Sequence, residues 1–265
     1  MKFLDTVIAT HYICPLPNSS TNALLIICND GKEYVLKHAG LKDAGGTNIL
    51  IAEYLSYLVA QRFNLPIPEH RFIQLNEKFF STIAEKKLST MLKTCPELCI
   101  GSVFIHGTTS FEDALKIKNN SYKMLFKTIF AFDQYLYNAD RFIENPNLLF
   151  IPQTNDVKVI DHSMAIWPIL DFEESLTAPI KNRTEHVLFP YAKGDWSYFV
   201  SIVKEIYDVT IEYYINTIPE EWFTEDMDKR FLTEFFQSRR DKIGDILKGV
   251  RKCQKKATNS NLSLF

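Results

Sequence analysis

Lys37, Glu53, Asp140, Asn145 and Asp161 occur in that order along the chain, and together they suit phosphoryl transfer. That reaction asks little covalent chemistry of a protein, which chiefly positions a nucleotide and neutralises its charge. A lysine can sit on phosphate oxygens, carboxylate and amide oxygens can ligate Mg²⁺, and a carboxylate can take the proton of an acceptor hydroxyl. In "NADRFIENPNLLF", residues 138–150, Asp140 precedes Asn145 by five positions, and the apolar run Leu148-Leu149-Phe150 follows. Each signal is weak alone: Asp140 reads as a turn residue and Lys37 as an edge-strand lysine. The weight lies in the ordered set with hairpins between its members. Glu53 adds a physical argument, because a carboxylate beside an apolar helix face is costly to bury unless paired, and Lys37 accounts for it.

The elements that must position these groups follow from local pattern. "NALLIICND" and "EYVLKHA" are apolar runs joined by Asn29-Asp30-Gly31-Lys32, a hairpin signal that puts Lys37 at a strand end. Upstream, "PLPNSST" (15–21) is a loop of turn formers placed where it could cover a ligand. Residues 47–63 predict an amphipathic helix with Ile51, Leu55, Leu58 and Val59 on one face and Thr47 or Asn48 as its cap. Two strands are expected on either side of an Asn76-Glu77-Lys78 turn, and residues 97–107 open a transition. Helical patterns then cover 111–118, 121–137, 195–216 and 228–256. Between two of them, "NLLFI" and "VKVID" pair around "PQTND", with Asp161 at the exit.

The 265 residues are 46% hydrophobic, enough to bury the core of one bilobed unit or of two domains. A net charge of -2 argues against nucleic acid as an obligate partner. A local exception is the C-terminus, where Arg239, Arg240, Lys242, Lys248, Arg251, Lys252, Lys255 and Lys256 face only Asp241 and Asp245. That stretch reads as a solvated helix face and tail, or else as a contact for nucleic acid or an acidic partner. Cysteines 14, 28, 95, 99 and 253 form no CxxC pair, so free thiols in a reducing compartment are expected. No run reaches the roughly 18 apolar residues needed to span a bilayer, and no signal peptide is evident. A cytoplasmic protein without membrane contact is the expectation.

The ordered set resembles the protein-kinase-like fold, and most closely the HipA-like kinases. The resemblance is carried by Asn138-Ala139-Asp140, four residues, Asn145 and Leu148-Leu149, then by Asp161-His162-Ser163 in place of Asp-Phe-Gly, with Lys37 in "EYVLKHA" and Glu53 in "IAEYL". It spans residues 10 to 165 and implies an α+β, bilobed architecture: an N-lobe, 1–100, with a small antiparallel sheet and one helix, and a mostly helical C-lobe, 101–265. By that likeness Asp140 orients and deprotonates the acceptor hydroxyl, while Asn145 and Asp161 hold Mg²⁺. Lys37 pairs with the α and β phosphates of ATP, Glu53 holds Lys37, and "GSVFIHG" (101–107) is the interlobe hinge at the adenine. Asn138 and Arg141 orient the loop, contact acceptor phosphate or make structural bonds, and His162 is a structural histidine.

The phosphate-covering loop departs from the kinase pattern, having no glycine over 15–22. Ser19, Ser20 and Thr21 would offer amides and hydroxyls there instead, and are candidates for self-phosphorylation by the resemblance. The implied function is an ATP- and Mg²⁺-dependent kinase acting on Ser or Thr of a protein, with a toxin role and an antitoxin or regulatory partner. Two alternatives stand beside it. One is a nucleotide-binding pseudokinase that works through partner contacts; the other is a kinase of a small molecule or lipid headgroup, since "ADR" also resembles phosphatidylinositol kinases.

Overall fold

The computed structural model describes residues 4–17, 19, 21–40, 46–116, 122–166, 176–180, 183–225 and 227–262. Its first part is built from β1 (Thr6–Pro15), β2 (Leu24–Cys28), β3 (Glu33–Lys37), α1 (Asn48–Arg62), β4 (His70–Gln74), α2 (Glu77–Phe80), α3 (Lys86–Leu92) and β5 (Leu98–Val103). Alternating burial along β2 and β3 gives each strand one inward face. Gly31, at φ 77, turns the β2–β3 hairpin where Asp-Gly predicts it.

The strands run in the order β1-β2-β3-β5-β4 and close into a barrel. The closing seam is parallel, pairing Thr6–Ile8 of β1 with Phe72–Gln74 of β4. This differs from the expected antiparallel sheet with one helix in both closure and helix content. No strand forms around Phe80 and Ile83: Phe80 ends helix α2 and Ile83 follows a turn, because Asn76 is extended, at φ -153, and its side chain accepts the Phe79 N–H. An Asn that reads as a turn residue is here an N-cap. Phe79 of α2 and Leu92 of α3 join Val7, Ile26, Leu36 and Ile73 in the barrel core.

Helix α1 is buried almost all round, rather than along one stripe as predicted, and Thr47 caps it without a side-chain hydrogen bond. Apolar residues on every face suit a helix packed between two bodies. One is the barrel; the other comprises α4 (Phe111–Lys116), α5 (Tyr122–Leu136), the hairpin β6 (Leu148–Ile151) and β7 (Asp156–Val159), α6 (Ser197–Lys204), α7 (Asp208–Asn216) and α8 (Lys229–Leu262). The helix predicted over 195–216 is two helices, because Ile206 turns into the core and Tyr207 is extended, at ψ 161. One apolar cluster runs from α1 through α5 and β6–β7 to α8.

Arg239, expected on a basic surface, is fully buried and donates to the Tyr135 and Ala178 carbonyls. Among the described residues, no helix is long and apolar enough to cross a membrane.

Candidate active site

Lys37 ends β3 with its side chain 9% exposed, and its Nζ meets Asp161 Oδ2 at 2.9 Å and Glu53 Oε1 at 3.6 Å. Burial alone would pull the lysine pKa down, but the two carboxylates outweigh it and hold the amine above its ordinary value. Glu53, on the fully packed α1, is just as enclosed. Burial pushes its carboxyl up, yet Lys37 and the nearby His162 and His70 bring it well below the usual carboxylate range. Oε1 also accepts the His162 backbone N–H at 3.0 Å, so Glu53 fixes the segment after Asp161 as well as the lysine. Asp161 leaves β7 in the left-handed region, φ 53, a conformation Asp tolerates better than most residues. Its Oδ1 accepts from the Ser163 N–H and hydroxyl, which leaves Oδ2 facing Lys37.

The loop from Asn138 to Asn147 hangs from one buried carboxylate that the sequence reading missed. Asp133, on α5, accepts Arg141 Nε at 2.7 Å, His186 Nε2 at 3.0 Å and Asn138 Nδ2 at 2.9 Å. Burial works against its ionisation, but Arg141 and His186 hold its carboxyl far below the ordinary value. Arg141 is fully buried and also donates to the Asn147 carbonyl at 2.7 Å, so it is an anchor of the loop and not a surface group. Asp140 therefore projects from a rigid base. Its backbone N–H donates to Asn138 Oδ1 at 3.3 Å, its carbonyl accepts Asn147 Nδ2 at 2.7 Å, and Asn145 Nδ2 lies 3.4 Å from Oδ2. Burial, with Asp161 nearby, raises the Asp140 carboxyl above its ordinary value. A lone Asp in the apolar run "IFAFDQYL" was the available signal, the same one that marked Glu53.

A cleft of about 480 Å³ lies between barrel and helices, with Lys37, Glu53, Asn145, Asn147 and Asp161 in its wall. Its apolar surfaces come from Ala23 and Val35 on the barrel side and from Leu149 and Ile160 opposite, with the 101–105 segment along one edge. A cleft lined by apolar side chains and by the charged groups Lys37, Glu53 and Asp161 suits a nucleotide.

Of the predicted loop residues, Ser19 lines the cleft and Thr21 is buried with its hydroxyl 3.2 Å from Lys37 Nζ; Ser20 lies outside the described residues. No cluster of three His, Cys, Asp or Glu suited to a metal occurs among the described residues. The pair Asn145 and Asp161 fits Mg²⁺ bound through substrate phosphates, which needs only one or two protein oxygens. Asn145 spends its amide nitrogen on Asp140, so its oxygen is the end left for a cation.

A family model described as HipA-like kinase matches residues 12–255. No curated protein matches the chain. Among solved structures, the Helicobacter pylori proinflammatory kinase CtkA aligns with TM-score 0.57 and 13% identity, covering 96% of this chain and 99% of its own. The Golgi casein kinase with Mn/ADP bound aligns with TM-score 0.54 and 12% identity, covering 94% of this chain and 74% of that one. At such identities the likeness shows the fold: α+β and protein-kinase-like.

Proposed function

The chain belongs to the HipA-like kinase family, and from that premise we propose that it is an ATP- and Mg²⁺-dependent kinase that phosphorylates Ser or Thr of a protein. The observation that carries the reading is the convergence of Lys37, Glu53, Asn145 and Asp161 on one cleft between apolar walls. Residues 1–100 act as the nucleotide-covering lobe and 101–265 as the lobe bearing the loops. Asn145 and Asp161 hold the metal, which when bound supplies charge neutralisation at the phosphates.

Lys37 moves from Asp161 to the α and β phosphates, a short transfer for an amine already in the cleft. Glu53 keeps it directed there, while Thr21 Oγ1 accepts from Lys37 at 3.2 Å and lies 3.3 Å from Ser19 Oγ. Asp140 orients the acceptor hydroxyl and takes its proton; its raised carboxyl pKa improves it as a base. A protein acceptor is favoured because one of the aligned structures is a casein kinase.

Incubation with γ-labelled ATP and Mg²⁺ tests the reading against protein, small-molecule and lipid acceptors in parallel. Label is expected on protein Ser or Thr and is lost in Asp140→Ala. Transfer only to a sugar or lipid headgroup would move the acceptor class. Nucleotide binding without any transfer would support the pseudokinase.

A further inference from the structure

The β1–β2 loop has no glycine between Pro15 and Asn22, so something other than a flexible backbone must hold it over bound phosphates. Asn22 adopts the left-handed conformation, φ 51, that glycine often supplies in such turns. The Asn22 N–H donates to the Ser19 carbonyl at 3.1 Å, and the Ala23 N–H to Ser19 Oγ at 2.9 Å. Two consecutive residues at the end of β3 then reach the loop's return limb. Lys37 donates to Thr21 Oγ1 at 3.2 Å, and His38 Nε2 lies 3.0 Å from the Asn22 carbonyl oxygen.

His38 is fully enclosed, and its other ring nitrogen, Nδ1, accepts the Gly40 N–H at 3.2 Å. A carbonyl only accepts and a backbone N–H only donates, so the two contacts together require an uncharged ring with its proton on Nε2. Burial and the adjacent Lys37 charge favour that form, against the pull of the Asn22 carbonyl. Lys37 is the charged group set against the ring; Asn22 and Gly40 present only backbone.

When phosphates claim Lys37, its tie to Thr21 is released and His38 keeps the limb in place. We propose that His38 is a positioning residue: its uncharged imidazole latches the glycine-free loop over the nucleotide, so that affinity for ATP falls when the ring is protonated. The inference rests on the kinase reading above.

Calorimetric affinities for MgATP should be compared for the wild type, His38→Ala and His38→Gln between about pH 5.5 and 8. Gln retains a neutral donor and acceptor. We expect His38→Ala to weaken binding about fivefold near pH 7.5, the worth of one hydrogen bond, and to raise KM for ATP more than it lowers kcat. The ratio of wild-type to His38→Gln affinity cancels titration of the nucleotide, and it should fall as the solution is acidified. A constant ratio, or wild-type affinity in His38→Ala, overturns the latch. Amide exchange over 16–23 without nucleotide separates the two readings: a wild type that binds no ATP defeats the kinase assignment, while equal loop protection in wild type and His38→Ala defeats the latch.

Discussion

Glu53 is nearly inaccessible to solvent, yet ionised, because Lys37 lies 3.6 Å away and two histidines flank its second oxygen. Removing one partner of such a pair leaves an uncompensated buried charge, which typically costs about 3–5 kcal/mol. Lys37→Met should therefore abolish phosphoryl transfer and also lower stability to denaturant. Adding Glu53→Gln to that variant removes the stranded charge, so most of the stability should return while activity does not. If the double variant is no more stable than Lys37→Met, the pair is not the source of the cost. The sign with pH follows from the same contact. Glu53 has a depressed carboxyl pKa in the folded chain, so its contribution is complete above the unfolded value of 4.5 and is lost as pH falls below it.

At the scale of elements, α5 and the loop it anchors behave as one unit, because four side-chain contacts from Asn138, Arg141 and His186 converge on Asp133. Asp133→Asn leaves Arg141 buried without its counter-charge, and should cost about 3–5 kcal/mol in chemical denaturation. His186 sets a second pH dependence. Its Nδ1 accepts the Leu188 N–H at 3.0 Å and its Nε2 donates to Asp133, so the folded chain keeps the ring neutral, and burial lowers its pKa. The unfolded chain takes up a proton first as pH drops through 6.5, so folding weakens there. Wild-type Tm should fall from about pH 7 to 5.5, and the fall should shrink in His186→Gln. An identical fall in both proteins would remove His186 from the account.

Across the whole molecule, the segment after α7 straps the barrel to the helices and clamps α1 between them. Thr217 accepts Tyr54 Oη at 2.8 Å, Trp222 Nε1 donates to the Leu98 carbonyl at 2.7 Å, and Thr224 bonds Asn48 at 3.0 Å. The Trp222 ring also stands edge-on to Tyr54 and Phe72, tying α1, β4 and the strap into one cluster. The C-terminal third of the chain thus packs against the helix that carries Glu53, which lies 3.6 Å from Lys37. Trp222→Ala opens a large cavity at this joint and should cost about 3–5 kcal/mol. Because the cavity abuts α1, amide protection along 48–62 should drop with it, and unchanged protection there would show that the strap does not hold the helix.

Much of this was legible locally. The Asp-Gly hairpin, the span of α1 and the 148–159 strand pair depend on periods and short spacings, which are properties of neighbours in the chain, while roles for Lys37, Glu53, Asp140, Asn145 and Asp161 come from the family resemblance. The fold supplied what depends on distant residues meeting. Closure of the barrel pairs β1 with β4, which no local pattern links, and burial of α1 on every side follows from the strap. Composition reads Asn76 as a hairpin turn, and the fold makes it a helix cap instead, with Phe79 packed into the barrel. His38 and His186 sit in ordinary stretches, and Asp133 is marked only by its apolar neighbours. Their work comes from burial and from partners brought in by tertiary contact, because the energy of a polar group is set by what surrounds it once water is excluded.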